Sequence, residues 1–312
     1  MLIGLLLLGG SAALLVGGAE LFVECVAGAA RRLGVTVFAV GLLLAGAEPE
    51  ELITGMYASG RGHPGLAAGD AIGANVTMLT LTLGLAAVFA ALPVGRRVRR
   101  YAVGSAAAGG LAVLTLLDGR VSRPEGAALV AAYVAGVAVI WWIEHAPPAI
   151  GELAEAAGLP GVSGSESDGG HGLPGLLGGV LLMAGGGAVA VAGATRVVEA
   201  LGRGDDAIGL TLLALATTAE LFALVVAAAR HGATELAVAG IVGSAAYNAT
   251  ATLGAAALVR PLAGVHVLGP AVAAAVLPLL VVAFALRRGR LPRLAGVVLV
   301  AGYLSFAGYA LS

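Results

Sequence analysis

Two acidic stretches stand out in an otherwise apolar chain. Glu48-Pro49-Glu50-Glu51 interrupts one apolar run, and Glu220 lies within another, among Leu, Ala and Thr residues. A carboxylate held in mid-membrane costs about 2.5–3.5 kcal/mol on insertion scales, so such acids are expected to face a cavity and bind something. Pro49 removes a backbone donor and frees a carbonyl, while Gly46 loosens the turn before it. Half-helix ends beside carboxylates offer hard oxygen ligands, the chemistry of a cation site. The i, i+3 spacing places Glu48 and Glu51 on one helix face and turns Glu50 away. The competing reading ends the helix at Ala47 and leaves the acids in a loop. For Glu220 it is an ion pair, with Arg196 as partner.

A cation site also needs neutral oxygens. Thr217 and Thr218 precede Glu220, and Ser244 and Asn248 follow one helical turn apart. The first half offers Thr54, Asn75 and Thr77. Any one of these alone is accounted for by an interhelical hydrogen bond; grouped around two glutamates they favour ion binding. Asp70 is expected to cap or gate its helix. Glu20, Glu24 and Glu199 read as interfacial acids, and His63, His231 and His266 as loop or interfacial residues. His145 and His171 flank an acidic stretch where they could sense protons or metal.

The elements that position these residues follow from composition. The 312 residues are 59% hydrophobic and 11% charged, against about 25% charged in soluble domains. Apolar runs of roughly 20 residues span a bilayer, and ten occur, near 2–30, 35–59, 66–92, 101–117, 125–144, 174–201, 206–229, 234–258, 264–286 and 292–311. The first lacks a basic leading region and is too long for a typical signal peptide. The Gly-, Pro- and Ser-rich stretch 145–173 reads as a flexible linker. It separates a five-helix unit, 1–144, from a second, 174–312.

Arginine placement sets the orientation. Exits from odd-numbered spans carry Arg31, Arg32, Arg96, Arg97, Arg99, Arg100, Arg230, Arg287, Arg288, Arg290 and Arg293. Exits from even-numbered spans carry Arg61, Arg120, Arg123, Arg203 and Arg260. Both termini are then outside and the linker is cytoplasmic, with a prokaryotic plasma membrane as the expected location. Five spans per half make the second half insert upside down relative to the first, the arrangement of inverted-repeat transporters. The halves are alike in order. GAELFVE (Gly18–Glu24), GAEPEEL (Gly46–Leu52) and GDAIGANVTMLTLTLG (Gly69–Gly84) correspond to GATRVVE (Gly193–Glu199), ALATTAEL (Ala214–Leu221) and AGIVGSAAYNATATLG (Ala239–Gly254). The expected fold is all-α: ten transmembrane helices forming two inverted-topology five-helix repeats.

Several classes are excluded. A net charge of −1 supplies no basic stripe for nucleic acid. Cys25 is alone, and no CxxC or GxxxxGK[ST] stretch is present, which argues against metal–thiolate chemistry and ATP-driven transport. No HExxH or GxSxG appears, which argues against a membrane enzyme. Broken helices with repeat-related acids suit a sealed site better than a continuous channel. The oligomeric state is left open.

The paired segments resemble the alpha-repeats of the calcium/cation antiporter superfamily, which includes the sodium/calcium exchangers. The family motif GTSLPEL, followed by GNVIGSNIFN, is matched by GAEPEEL with GDAIGANVTM in the first half and by ATTAEL with IVGSAAYN in the second. The resemblance implies that Glu51 and Glu220 bind Ca²⁺ at the centre. It implies that Ser244 and Asn248 serve as the serine and the acidic-or-amide residue of the second repeat, and that Thr217 and Thr218 supply oxygens. Ala47 and Glu48 replace the family's threonine and serine, Ala74 replaces its serine, Met78 its asparagine, and Ala219 its second-repeat proline. Those losses weaken Na⁺ coordination more than divalent binding, and Glu48 adds a carboxylate in exchange. The stretch upstream of each glutamate is shorter than in the family, which makes Glu50 an alternative counterpart of Glu51. The implied function is exchange of Ca²⁺, or a similar divalent cation, for Na⁺ by alternating access. Coupling to H⁺ through the same glutamates is the alternative. No cofactor is implied; the cations are cargo, and the bilayer is the other partner.

Overall fold

A computed structural model describes residues 1–33, 48–90, 92–144, 172–222, 225 and 234–312, without the side chains of 23, 24, 26–33, 144, 172, 173 and 236. The expectations for Glu24, Arg31, Arg32, Gly46, Ala47, Arg230, His145, His171, His231 and the linker lie outside this set.

In lipid every backbone polar group must be satisfied internally, and the described residues are overwhelmingly helical. They form α1 (Leu2–Leu33), α2 (Pro49–Gly60), α3 (Pro64–Val76), α4 (Leu83–Phe89), α5 (Arg96–Thr115), α6 (Arg123–Glu144), α7 (Gly172–Leu201), α8 (Asp205–Ile208), α9 (Ala214–Thr217), α10 (Thr234–Tyr247), α11 (Leu253–Val259), α12 (Leu268–Ala285) and α13 (Arg293–Leu311). π-Helical turns at Thr77–Thr82, Gly209–Leu213 and Asn248–Thr252 join α3 to α4, α8 to α9 and α10 to α11. Six of the described helices are long and apolar enough to cross a membrane.

Two differences from the expected elements have clear causes. Arg96, Arg97, Arg99 and Arg100, read as a loop, form the first turns of α5. Arginine is a good helix former, and its long side chain can reach water from a helix end. Asp70 is not a cap: His63 precedes α3, and Asp70 lies two turns inside, fully buried.

The twofold relation of the halves is visible in small features. Strand β1 (Leu92–Pro93) pairs with β4 (Arg290–Leu291), and β2 (Arg120–Val121) with β3 (Leu262–Ala263), so each pair joins one half to the other. The π turns after α3 and α10 end at Thr82 and Thr252, and within them Thr80 and Thr250 each bond back to a carbonyl one turn earlier, at Val76 and Ala246. Such back-bonding loosens a helix locally. Where α4 crosses α13, a Cβ on Gly84 would lie 2.9 Å from the Gly296 carbonyl. At the related crossing, a Cβ on Gly254 would lie 2.7 Å from that of Gly126. Glycine lets these backbones touch, the usual device for packing helices in lipid.

Burial separates the helices by role. The span Pro64–Phe89 is 72% buried, while Arg123–Ile143 and Arg293–Leu311 are each 22% buried and form the periphery. Exposed Val103, Leu114, Trp142, Leu181, Val297 and Leu304 line that periphery, as suits contact with acyl chains. Polar side chains collect instead on the central helices.

Candidate cation site

Helix α2 begins abruptly. Pro49 occupies its first turn, where a missing N–H costs nothing, and Glu48 before it is extended, at φ −158° and ψ 77°. In the second half, α9 ends at Thr217 and Thr218 breaks the helix at φ −85° and ψ 7°. Helical geometry resumes over 219–222. Both interruptions fall at the repeat-related position, and each places acids or hydroxyls beside loosened backbone.

Glu48, Glu50 and Glu51 are 0%, 1% and 1% exposed, and one carboxylate oxygen from each lies within 4.8 Å of the others. The expectation that Glu50 turns away is therefore corrected. The i, i+3 rule holds inside a regular helix; Glu48 is outside α2, and the first-turn side chains converge around the helix start. Both carboxylate oxygens of Glu51, and Oε1 of Glu48, are buried with no hydrogen-bond partner among the described residues. Buried anions in that condition demand a cation or a proton.

The two halves interlock at this point. Asn248 Nδ2 donates to Glu48 Oε2 at 3.0 Å, and Thr252 Oγ1 donates to Asn248 Oδ1 at 3.1 Å, fixing the amide's orientation. Thr217 Oγ1 lies 3.0 Å from Asp70 Oδ1 as donor, leaving Asp70 Oδ2 buried without a partner. Asp70 is close enough to Glu51 for the two charges to repel. Each interruption thus leans on the long central helix of the opposite half. The contact between Asp70 and Thr217 depends on close backbone approach: a Cβ on Gly69 would lie 2.8 Å from the Asp206 carbonyl and 2.9 Å from Gly209 Cα.

The remaining sequence candidates on the central helices are mostly buried. Glu220 is 7% exposed, and Thr218 and Ser244 are buried, bonding to the carbonyls of Ala214 and Gly240 at 2.7 and 3.1 Å. Ser244 also neighbours Glu48. Thr54 is buried with no partner for its hydroxyl among the described residues, and Thr77 is buried beside Tyr303. Asn75 donates across the halves to the Ala245 carbonyl at 2.9 Å. Arg196, Glu20 and Glu199 are exposed on their helices. Sequence reading missed two histidine–aspartate contacts away from this centre, His63 with Asp205 at 3.0 Å and His266 with Asp206 at 3.3 Å. Their partners are distant in sequence, and no spacing signalled them.

A family model described as sodium/calcium exchanger protein matches residues 3–142 and 171–312. An antiporter-named protein, CaxA of Alkalimonas amylolytica, is 28% identical over 253 residues, covering 80% of this chain and 78% of its own. The inner membrane protein YrbG of Escherichia coli is 28% identical over 273 residues, covering 84% and 79%. The sodium/calcium exchanger MaX1 of Methanosarcina acetivorans is 32% identical over 137 residues, covering 43% and 39%. A solved structure of the sodium-calcium exchanger NCX_Mj superposes with a TM-score of 0.61 at 24% identity, over 98% of this chain and 96% of that one. The two share a fold, and the described elements fit its ten-helix inverted-repeat arrangement.

Proposed function

The chain belongs to the sodium/calcium exchanger family, and on that premise we propose that it exchanges Ca²⁺, or a similar divalent cation, for Na⁺ at the buried carboxylate centre. Glu51 and Glu220, one from each half, are the principal ligands. Glu48 and Glu50 add charge, and Thr217, Thr218, Ser244 and Asn248 add neutral oxygens. Thr54, Asp70, Asn75 and Thr77 form the surrounding shell. The observation that carries this reading is the Glu51 carboxylate, fully buried with neither oxygen paired among the described residues. The relatives named as antiporters and sodium/calcium exchangers point the same way.

Exchange follows from electrostatics. Charged, empty carboxylates are too costly in a low dielectric to cross between the two open states. The site therefore changes its exposure only when loaded, with the divalent ion on one leg and its replacement on the other. That condition suppresses leak without a separate gate. Two similar halves inserted in opposite senses allow alternating access around a fixed site.

A second reading, coupling to H⁺, is favoured by the side chains. Ala47, Ala74 and Met78 stand where the family motif has oxygen ligands, while Glu48 adds an acid. Fewer neutral oxygens and more carboxylates suit protons as the returning charge. Radiolabelled Ca²⁺ uptake into proteoliposomes separates the two. An outward Na⁺ gradient drives uptake if Na⁺ is the partner. A pH gradient drives it without Na⁺ if the partner is H⁺. Uptake under neither gradient rejects both readings.

In the membrane, five-helix units 1–144 and 174–312 flank the linker 145–173, with both termini outside and the linker cytoplasmic. The arginine bias of the odd-numbered exits supports this. Protease added to sealed right-side-out vesicles should leave the linker uncut.

A further inference from the structure

Tyr247 is the last residue of α10, immediately before Asn248, whose amide holds Glu48. Its side chain is fully buried, and its hydroxyl has no hydrogen-bond partner among the described residues. The ring is held edge-on against Tyr133, with centroids 5.1 Å apart and planes at 79°. It shares an apolar cluster with Val137 and Ala251, against which Leu52, the neighbour of Glu51, packs. The phenol lies within electrostatic reach of Glu50, Glu48 and Glu51. A buried hydroxyl without a partner is costly and rare, and this one lies on the segment whose neighbours, Asn248 and Leu52, lead to Glu48 and Glu51.

We propose that the Tyr247 hydroxyl is a further neutral oxygen ligand of the cation site, supplied by the second half to an ion held by Glu48, Glu50 and Glu51. This rests on the assignment of those acids as the cation site. Three features favour the role. Ca²⁺ takes six to eight oxygens, more than three carboxylates supply when each binds through one atom. The hydroxyls of Thr217, Thr218 and Ser244 each donate a hydrogen bond, to Asp70 or to a backbone carbonyl, whereas that of Tyr247 makes none among the described residues. The aromatic ring, locked by Tyr133, presents its oxygen at little entropic cost. The repeat-related position in the first half is Thr77, a shorter side chain that also carries a hydroxyl. Its consequence is selectivity: a rigid phenol oxygen favours an ion large enough to reach it, and Mg²⁺, which demands compact octahedral geometry, is disfavoured.

The test uses Y247F, which keeps the ring and removes only the oxygen. In reconstituted full-length protein, the Ca²⁺ concentration for half-maximal uptake should rise about tenfold while the maximal rate stays within about twofold, the pattern of a lost ligand. The melting temperature of the purified protein gives a second readout independent of turnover: Ca²⁺ should stabilise Y247F less than the parent at equal concentration. An unchanged half-saturation, an unchanged Ca²⁺-dependent melting shift, or a loss confined to maximal rate would overturn the proposal. E51Q tests the underlying site separately. If E51Q retains Ca²⁺ binding, the site assignment fails whatever Y247F does; if E51Q loses it and Y247F does not, only the role of Tyr247 fails.

Discussion

The two helix interruptions share a backbone plan and differ in chemistry. In the first half an extended Glu48 and a first-turn Pro49 present three buried carboxylates. In the second, Thr217 and Thr218 present hydroxyls ahead of the single acid Glu220. Each rests on the opposite half's central helix, Glu48 on Asn248 and Thr217 on Asp70. Because Asp70 also belongs to the first half, the grouped acids Glu48, Glu50, Glu51 and Asp70 all come from that half. Alternating access needs two halves of similar backbone, which the paired strands and glycine crossings provide. Ion binding, as proposed, needs only enough oxygens at one place, and the clustered carboxylates come from one half. The backbone plan is shared between the halves; the acids are not.

Substitutions can break or sharpen this contrast. The largest effect is expected at the acid-rich interruption: E51Q should lower Ca²⁺ uptake by at least about 100-fold. E220Q, at the hydroxyl-rich one, should cost less, about tenfold; equal losses would remove the asymmetry. Next come Asp70 and Thr217. D70N and T217V should each raise half-saturating Ca²⁺ by about three- to tenfold, and the double variant should cost little more than either one, because both remove one contact. Additive losses would show that the two residues act independently. The smallest functional effect is expected from G69A, whose Cβ would press on the Gly209 backbone. It should destabilise the protein by about 1–3 kcal/mol, read as a lower melting temperature, with weaker Ca²⁺ binding only to the extent that Thr217 is displaced.

Much of this was legible in the sequence. Long apolar runs announced membrane helices, and the order of Gly46–Leu52 and Gly69–Gly84 against Ala214–Leu221 and Ala239–Gly254 announced the inverted repeat. Glu220 stood out because a lone acid in an apolar run is costly. What escaped depended on three-dimensional convergence. Glu50 was turned away by a rule that assumes an unbroken helix, whereas the chain enters α2 extended. Asp70 read as a cap because it lies near the start of its run, but its partner is Thr217, 147 positions away. Tyr247 gave no signal, since a tyrosine in a membrane helix reads as packing until its hydroxyl is found buried with no partner among the described residues.

The central claim is that one divalent ion sits among these carboxylates, nearer the acids of the first half. Anomalous diffraction from crystals soaked in Sr²⁺ tests it most directly. A single strong peak is expected within about 2.3–2.7 Å of oxygens from Glu51 and Glu220 and of at least one of Glu48 and Glu50. A peak coordinated by Glu220 without any first-half carboxylate, or density only at the protein surface, would contradict it.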